Sequence, residues 1–406
     1  MSSRSTAPRP AARGEVGSAA SRRATATGGG VPAVDAEAIP ASDPRPHRLP
    51  AGQRVLMTGN EAAAEAAIRA GCRFYFGYPI TPQNELTAYM AREMPLAGGT
   101  FIQAESELAA INMVYGASAA GRRAMTSSSS PGISLKQEGI SYLAGSELPA
   151  VILNVQRGGP GLGDIRVAQS DYFQATRGGG HGDYRTIVLA PAGVQEMADF
   201  VMLAFHLADK YRNPVLVLAD AQLGQMMEPL AFADLNEEPL PPKDWALTGA
   251  RGRPSRIVKS FYWLPGDLEV FNQRLAEKYA RVQAAEVRYQ AVSCDDARWV
   301  LVAYGASARV AKQVAVEARR QGEPVGLFRP ISLWPFPSQA LRELAERVRG
   351  FLVVEMSLGQ MVEDVRLAIE GAAPVAFFGR TGGGIPTAEE VARELRRLRS
   401  AAGREK

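Results

Sequence analysis

From about Val55 the chain alternates short apolar runs with longer amphipathic stretches. The runs CRFYFGYP (72–79), TFIQAE (100–105), PAVILNVQ (149–156), TIVLAP (186–191) and NPVLVLAD (213–220) have the length and content of strands. Between them the spacing predicts helices over 60–70, 83–93, 107–120, 133–145 and 193–210. Strands that are apolar on both faces must be covered on both faces, so a mostly parallel sheet flanked by helices is expected. Residues 228–290 break the rhythm with Pro229, Pro239, Pro241 and Pro242 and keep one helix near 266–287. A second α/β series follows, with strands over 298–305, 324–330, 350–356 and 374–379 and helices over 307–321, 338–348 and 360–370. The expected organisation is an extension (1–50), an α/β domain (51–228), a connecting segment (229–297), a second parallel-sheet α/β domain (298–395) and a charged, frayed tail (396–406).

Composition adds limits rather than chemistry. Residues 1–50 are rich in Ala, Arg, Ser, Pro and Gly and lack a periodic apolar face, so disorder is expected there. Scarce acids beside Arg and Ser also fit an organellar transit peptide, but a low-complexity extension is the reading taken. No run approaches the ~18 apolar residues of a membrane span, and a cytoplasmic location is expected. The net charge of +4 resides largely in arginines near the termini, which fits solvated ends better than a nucleic-acid footprint. The two cysteines, Cys72 and Cys294, are far apart, whereas an iron–sulfur cluster takes about four thiolates, so neither a cluster nor another metal site is expected on this chain.

Ligands of open α/β sheets gather where strands hand over to helices, because free N–H groups point outward there. Four such junctions carry unusual residues. In Gly77-Tyr78-Pro79-Ile80-Thr81-Pro82, Thr81 can cap a helix whose first turn holds Pro82. In Gln103-Ala104-Glu105-Ser106-Glu107, either acid can serve a helix dipole or a reaction, and helix geometry does not separate the two. Thr126 to Gly132 forms a hydroxyl-rich loop able to cradle a polar ligand. Arg157-Gly158-Gly159-Pro160-Gly161-Leu162-Gly163 offers a guanidinium suited to a carboxylate. The phosphate fingerprints GxGxxG and GxxxxGK[ST] are missing from the places they would need to occupy.

Together, GYPITPQNEL, QAESELAAINMVYGASAAG, SSSSPGISLKQEGISYLAGSELPAVILNVQRGGPG, QSDYFQATRGGGHGDYR and LGQMMEP resemble the alpha subunit of 2-oxoacid:ferredoxin oxidoreductases. They are most similar to the branched-chain (3-methyl-2-oxobutanoate) type, over roughly residues 54–380, and VEMSLGQMVEDVR extends the likeness into the second domain. The resemblance implies a pyrimidine-type thiamine diphosphate domain followed by a transketolase C-terminal-like domain. It also implies oxidative decarboxylation of a 2-oxoacid with coenzyme A. In this family's S-E-x-x-A pattern the activating glutamate falls on Glu107. Thr81 and Arg157 fall on substrate-binding positions, and Pro79, Ile80, Ser128 and Ser129 on cofactor contacts. The resemblance places Mg²⁺, the diphosphate and iron–sulfur clusters on a beta subunit and a ferredoxin-like small subunit, with a gamma subunit in some assemblies. Many relatives read RGGPSTG where this chain reads RGGPGLGDIRVAQ; losing two hydroxyls favours a less polar substrate. Arg166 remains a candidate for a second carboxylate, which keeps 2-oxoglutarate as the alternative. A dehydrogenase-complex E1 beta chain, which passes its acyl group to lipoamide, is the rival enzyme class.

Overall fold

The apolar runs become the strands of two sheets. The computed structural model describes residues 52–233 and 239–402, and the expected extension over 1–50 lies outside them. The described residues belong to one unit, Ala41–Lys406. The first half runs β1 (Arg54–Thr58), α1 (Gly59–Arg69), β2 (Phe74–Gly77), α2 (Asn84–Glu93), β3 (Thr100–Gln103), α3 (Glu107–Ala119), β4 (Ala124–Ser128) and α4 (Ser130–Gly145). It continues through β5 (Ala150–Gly158), β6 (Asp164–Val167), α5 (Tyr172–Arg177), β7 (Ile187–Leu189), α6 (Val194–Tyr211), β8 (Pro214–Asp220), α7 (Ala221–Gln225) and β9 (Met227–Ala231). Then come α8 (Asp267–Ala285), β10 (Tyr289–Val292), β11 (Trp299–Val302), α9 (Gly305–Arg320), β12 (Val325–Pro330) and β13 (Ser332–Trp334). The series closes with α10 (Ser338–Ala345), β14 (Gly350–Glu355), α11 (Met361–Ile369), β15 (Val375–Gly379) and α12 (Ala388–Ala402).

The first sheet has the order β13-β7-β8-β5-β4-β2-β3, with β6 pairing β5. From β7 to β3 every pairing is parallel; β13 joins antiparallel at the edge. The second sheet, β10-β12-β11-β14-β15, is parallel apart from β10. Every residue of β5 and β8 is buried, as strands sandwiched between helices require. A small antiparallel ribbon, β1 with β9, stands apart from both sheets.

Several expectations needed correction. The hydroxyl-rich segment is not a loop: Thr126, Ser127 and Ser128 lie in β4, buried between β2 and β5. Polar groups can occupy a central strand when they are bonded, and Ser127 Oγ meets Tyr75 Oη at 2.6 Å and Gln83 Oε1 at 2.5 Å. Helix α4 accordingly starts at Ser130, with Pro131 in its first turn. Thr81 does not cap a helix; α2 begins at Asn84 with Gln83 at its N-cap. The turn is held by other contacts, Asn60 Nδ2 donating to Pro82 O at 2.8 Å and Arg157 Nη1 to Thr81 O at 3.0 Å. The connecting segment contributes two strands, β9 to the ribbon and β10 to the second sheet. Residues 396–402, expected to fray, continue α12, whose Val391 and Leu395 are buried in the second core.

The two sheets meet through polar contacts centred on Gln169, which is fully buried. Its Nε2 donates to Tyr304 O (2.9 Å), and its Oε1 accepts from Ser307 Oγ (2.8 Å) and the Met356 amide (3.1 Å). Tyr172 Oη donates to Asp364 Oδ2 at 2.6 Å across the same boundary. Removing the Gln169 amide strands several buried partners, each costing about 1–3 kcal/mol. Gln169→Ala is therefore expected to lower the unfolding free energy by about 2–4 kcal/mol, measured by denaturant unfolding.

Candidate active site at the carboxyl edge of the first sheet

The order β5-β4-β2-β3 brings four strand ends side by side, and these are the four junctions picked out in the sequence. Each strand runs in the same direction, so all four open onto one edge. The hand-over from β3 to α3 separates the two acids. Glu105 is exposed, whereas Glu107 is the first residue of α3 and only 6% exposed. Ser106 caps that helix, its Oγ accepting from the Ala109 amide at 3.1 Å.

Glu107 reaches across to the start of α4. A Cβ placed on Gly132 would stand 2.6 Å from Glu107 Oε1 and 2.1 Å from Ser128 Oγ. The glycine thus lets the carboxylate, the end of β4 and the first turn of α4 converge. Ser128 and Ser129 are fully buried, and neither hydroxyl has a hydrogen-bond partner. Asn154, the neighbour of Ser128 across β4 and β5, gives its Nδ2 to Asp171 Oδ2 at 2.8 Å and leaves Oδ1 unpaired.

Arg157 lies within β5 rather than after it and is 8% exposed. Besides Thr81 O, its guanidinium donates from Nη2 to Leu162 O at 3.1 Å, while its buried Nε has no partner. These bonds tie the Thr81 turn and the glycine-rich loop to one strand. Behind it, Ser130 Oγ accepts from the Arg157 amide at 3.0 Å and donates to Asp171 Oδ2 at 2.6 Å. Burial pushes the Asp171 carboxyl above its ordinary range, against the bonds from Ser130 and Asn154. Pro79 is exposed, and Ile80 and Thr81 are half-buried on the rim. Arg166 bonds Asp164 through Nε at 2.8 Å and also through Nη2.

One further residue escaped sequence reasoning: Lys136, fully buried on α4, whereas Gly132 was read only as the end of the hydroxyl-rich stretch. The only available signal was a lone lysine in the helical stripe Gly132, Lys136, Gly139 and Leu143. The cysteines play no part at this edge. Burial pushes the Cys72 thiol up to about 12 and the Cys294 thiol up to about 11, so both stay protonated at neutral pH. A cavity of about 750 Å³ lies elsewhere, between α9 and α12, and Thr81, Glu107 and Arg157 are not among its lining residues.

The edge thus holds a buried acid with unpaired polar atoms around it. Residues 65–256 match the family described as pyruvate flavodoxin/ferredoxin oxidoreductase, thiamine diphosphate binding, and residues 297–391 match pyruvate:ferredoxin oxidoreductase core domain II. The ketoisovalerate oxidoreductase subunit VorB of Methanothermobacter marburgensis is 54% identical over 343 residues, covering 84% of this chain and 97% of that protein. The 2-oxoglutarate synthase subunit KorA of Archaeoglobus fulgidus is 40% identical over 331 residues, covering 80% of this chain and 94% of that protein. A solved 2-oxoglutarate:ferredoxin oxidoreductase from Magnetococcus marinus, with 2-oxoglutarate, coenzyme A and succinyl-CoA bound, superposes with a TM-score of 0.76 at 27% identity. That match spans 85% of this chain and 65% of the other. A split-gene transketolase (TM-score 0.54, 15% identity, 85% of this chain and 98% of that one) shares the fold alone.

The fold and these matches define an α/β oxidoreductase subunit with a thiamine diphosphate-binding domain. The chain belongs to the 2-oxoacid:ferredoxin oxidoreductase family.

Proposed function

We propose that this chain is the pyrimidine-side half of an enzyme that oxidatively decarboxylates a branched-chain 2-oxoacid, of which 3-methyl-2-oxobutanoate is the type. With coenzyme A the products are acyl-CoA, carbon dioxide and reduced ferredoxin. Thiamine diphosphate, when bound, supplies the carbon nucleophile and electron sink that let a 2-oxoacid lose carbon dioxide. Glu107 holds a proton at N1′ of the aminopyrimidine, and the observation that carries this role is its burial at the start of α3 beside Gly132 and Ser128. Ser128 and Ser129 have hydroxyls free to meet the ring, with Pro79 and Ile80 on the opposite rim. Arg157 pairs with the substrate carboxylate: Nη1 and Nη2 each spend one bond on a backbone carbonyl, and Nε remains available. Thr81 contributes a hydroxyl next to it, which accepts from Asn84 Nδ2 at 3.2 Å and keeps its own proton to donate.

Work is divided between chains in this reading. A beta subunit carries the diphosphate, Mg²⁺ and an iron–sulfur cluster, and a ferredoxin-like small subunit (with a gamma subunit in some assemblies) carries electrons to ferredoxin. The buried, protonated thiols of this chain fit that division. The complex is the active form and operates in the cytoplasm; among the described residues no helix is long and apolar enough to cross a membrane.

Two observations support a branched-chain substrate over 2-oxoglutarate. Identity is 54% to a ketoisovalerate subunit against 36–40% to 2-oxoglutarate synthase subunits. Arg166, the candidate for a second carboxylate, is already engaged by Asp164. The test is viologen reduction by the chain assembled with its beta partner, comparing 3-methyl-2-oxobutanoate, 2-oxoglutarate and pyruvate with coenzyme A present. The branched acid is expected to give a kcat/KM at least about tenfold above the others, the scale set by a few apolar contacts. A tenfold preference for pyruvate or 2-oxoglutarate would overturn the substrate assignment, and turnover with lipoamide in place of ferredoxin would overturn the class.

A further inference from the structure

Helices α3 and α4 touch at two points where glycine removes a side chain. Gly132 faces the Glu107 carboxylate, and Gly139 faces Ile111, whose Cγ2 would lie 2.5 Å from an added Cβ. Glu107 and Ile111 are one turn apart on α3; Gly132 and Gly139 are two turns apart on α4. Lys136 stands between those glycines, four residues after the first and three before the second, hence on the same stripe. It therefore projects into the seam between the helices. Side chains on a helix lean toward its N-terminus, so the Lys136 stem leans back toward Gly132 and Glu107.

The lysine is 0% exposed, which puts it beyond the reach of solvent or another chain. Its Nζ has no hydrogen-bond partner. Burial pushes the ammonium down to about 8, and the Glu107 carboxylate acts in the opposite direction. It thus remains a cation at neutral pH. An unpaired buried ammonium costs stability, and packing alone would be served as well by methionine.

Resting on the role proposed for Glu107, we propose that Lys136 is a positioning residue whose buried ammonium holds the Glu107 carboxylate aimed at the aminopyrimidine. Its charge attracts the carboxylate electrostatically in a region of low dielectric and so restrains its direction. A carboxylate held in line accepts a charge-assisted hydrogen bond from a protonated N1′, a bond that the CH analogue cannot offer. The lysine so acts on cofactor activation without touching the cofactor.

The test uses the complex assembled with the beta subunit. Two dissociation constants are measured by calorimetry, for thiamine diphosphate and for its analogue with CH in place of N1′. The ratio between them reports what Glu107 gains from N1′. In Lys136→Met this ratio is expected to fall about tenfold, the scale of one charge-assisted bond, with thermal stability unchanged or raised. Hydrogen–deuterium exchange at the cofactor's C2, followed by quench and NMR, should slow by a similar factor. Lys136→Gln serves as the second neutral variant. An unchanged ratio and exchange rate in either variant overturns the proposal. Failure of both variants to assemble also overturns it, by making Lys136 a structural residue. Glu107→Gln separates this idea from the reading beneath it. If Glu107→Gln loses the ratio and Lys136→Met keeps it, only the lysine proposal fails; if Glu107→Gln keeps it, the role of Glu107 fails first.

Discussion

Glu107→Gln lowers turnover of the assembled complex by about 10²–10⁴-fold, the range of a positioned acid–base group. Glutamine has nearly the same shape, so contact with Gly132 and the end of β4 persists and helix α3 keeps its Ser106 cap. What disappears is the anion. The Lys136 ammonium also loses its one favourable charged neighbour and is driven toward its neutral form. The effect belongs in kcat rather than in the KM for the 2-oxoacid, because the carboxylate acts on the cofactor and not on the substrate. Glu105→Gln is the control: that side chain is exposed, and its turnover should stay within about twofold of the unaltered complex, the ordinary range for a surface change. Steady-state kinetics on both variants checks the pair. A Glu107→Gln complex that kept full turnover would remove the glutamate from the reaction.

Arg157→Lys raises the KM for the 2-oxoacid by about 10²-fold and leaves the KM for coenzyme A unchanged. The expected size is that of a lost charge-assisted, two-point contact, about 2–3 kcal/mol. Lysine keeps the charge but not the fork. A single ammonium cannot reach Thr81 O and Leu162 O at once and still present a donor to a carboxylate. Because the carboxylate is bound before it departs as carbon dioxide, most of the loss should fall on KM. If instead both substrates bound more weakly and the melting temperature fell, Arg157 would be a strap for the glycine-rich loop and nothing more.

Much of the architecture was legible in the chain because buried parallel strands leave a plain mark. The run over 213–220 had to be covered on both faces, and β8 is buried along its whole length. The same logic failed at β4. Its residues Ala124 to Ser128 are mostly hydroxylic, so no apolar run announces a strand, although it occupies the middle of the sheet. Its Ser127 is bonded by Tyr75 and Gln83, which belong to distant parts of the sequence. Helix α12 was missed for a different reason. Charge dominates its composition, while Val391 and Leu395, four apart, are the pair that reaches the core. The Thr81 cap failed because Arg157, 76 residues away, and Asn60 take hold of the turn first.

At the candidate site, sequence alone determined the kinds of groups present: two acids before a helix, a hydroxyl-rich segment and an arginine before glycines. Local spacing sets these, and spacing can be read directly. Tertiary structure decided which of them meet. Parallel crossovers place β5, β4, β2 and β3 next to one another in an order the chain does not follow. That order turns four separate junctions into one edge. It buries Glu107 and leaves Glu105 in water, two residues apart, because the first position of α3 faces Gly132. It also sets a lysine, by sequence an ordinary charge on a helix, beside that glutamate. Such neighbours are fixed by how helices pack across a sheet, and no local pattern encodes that distance.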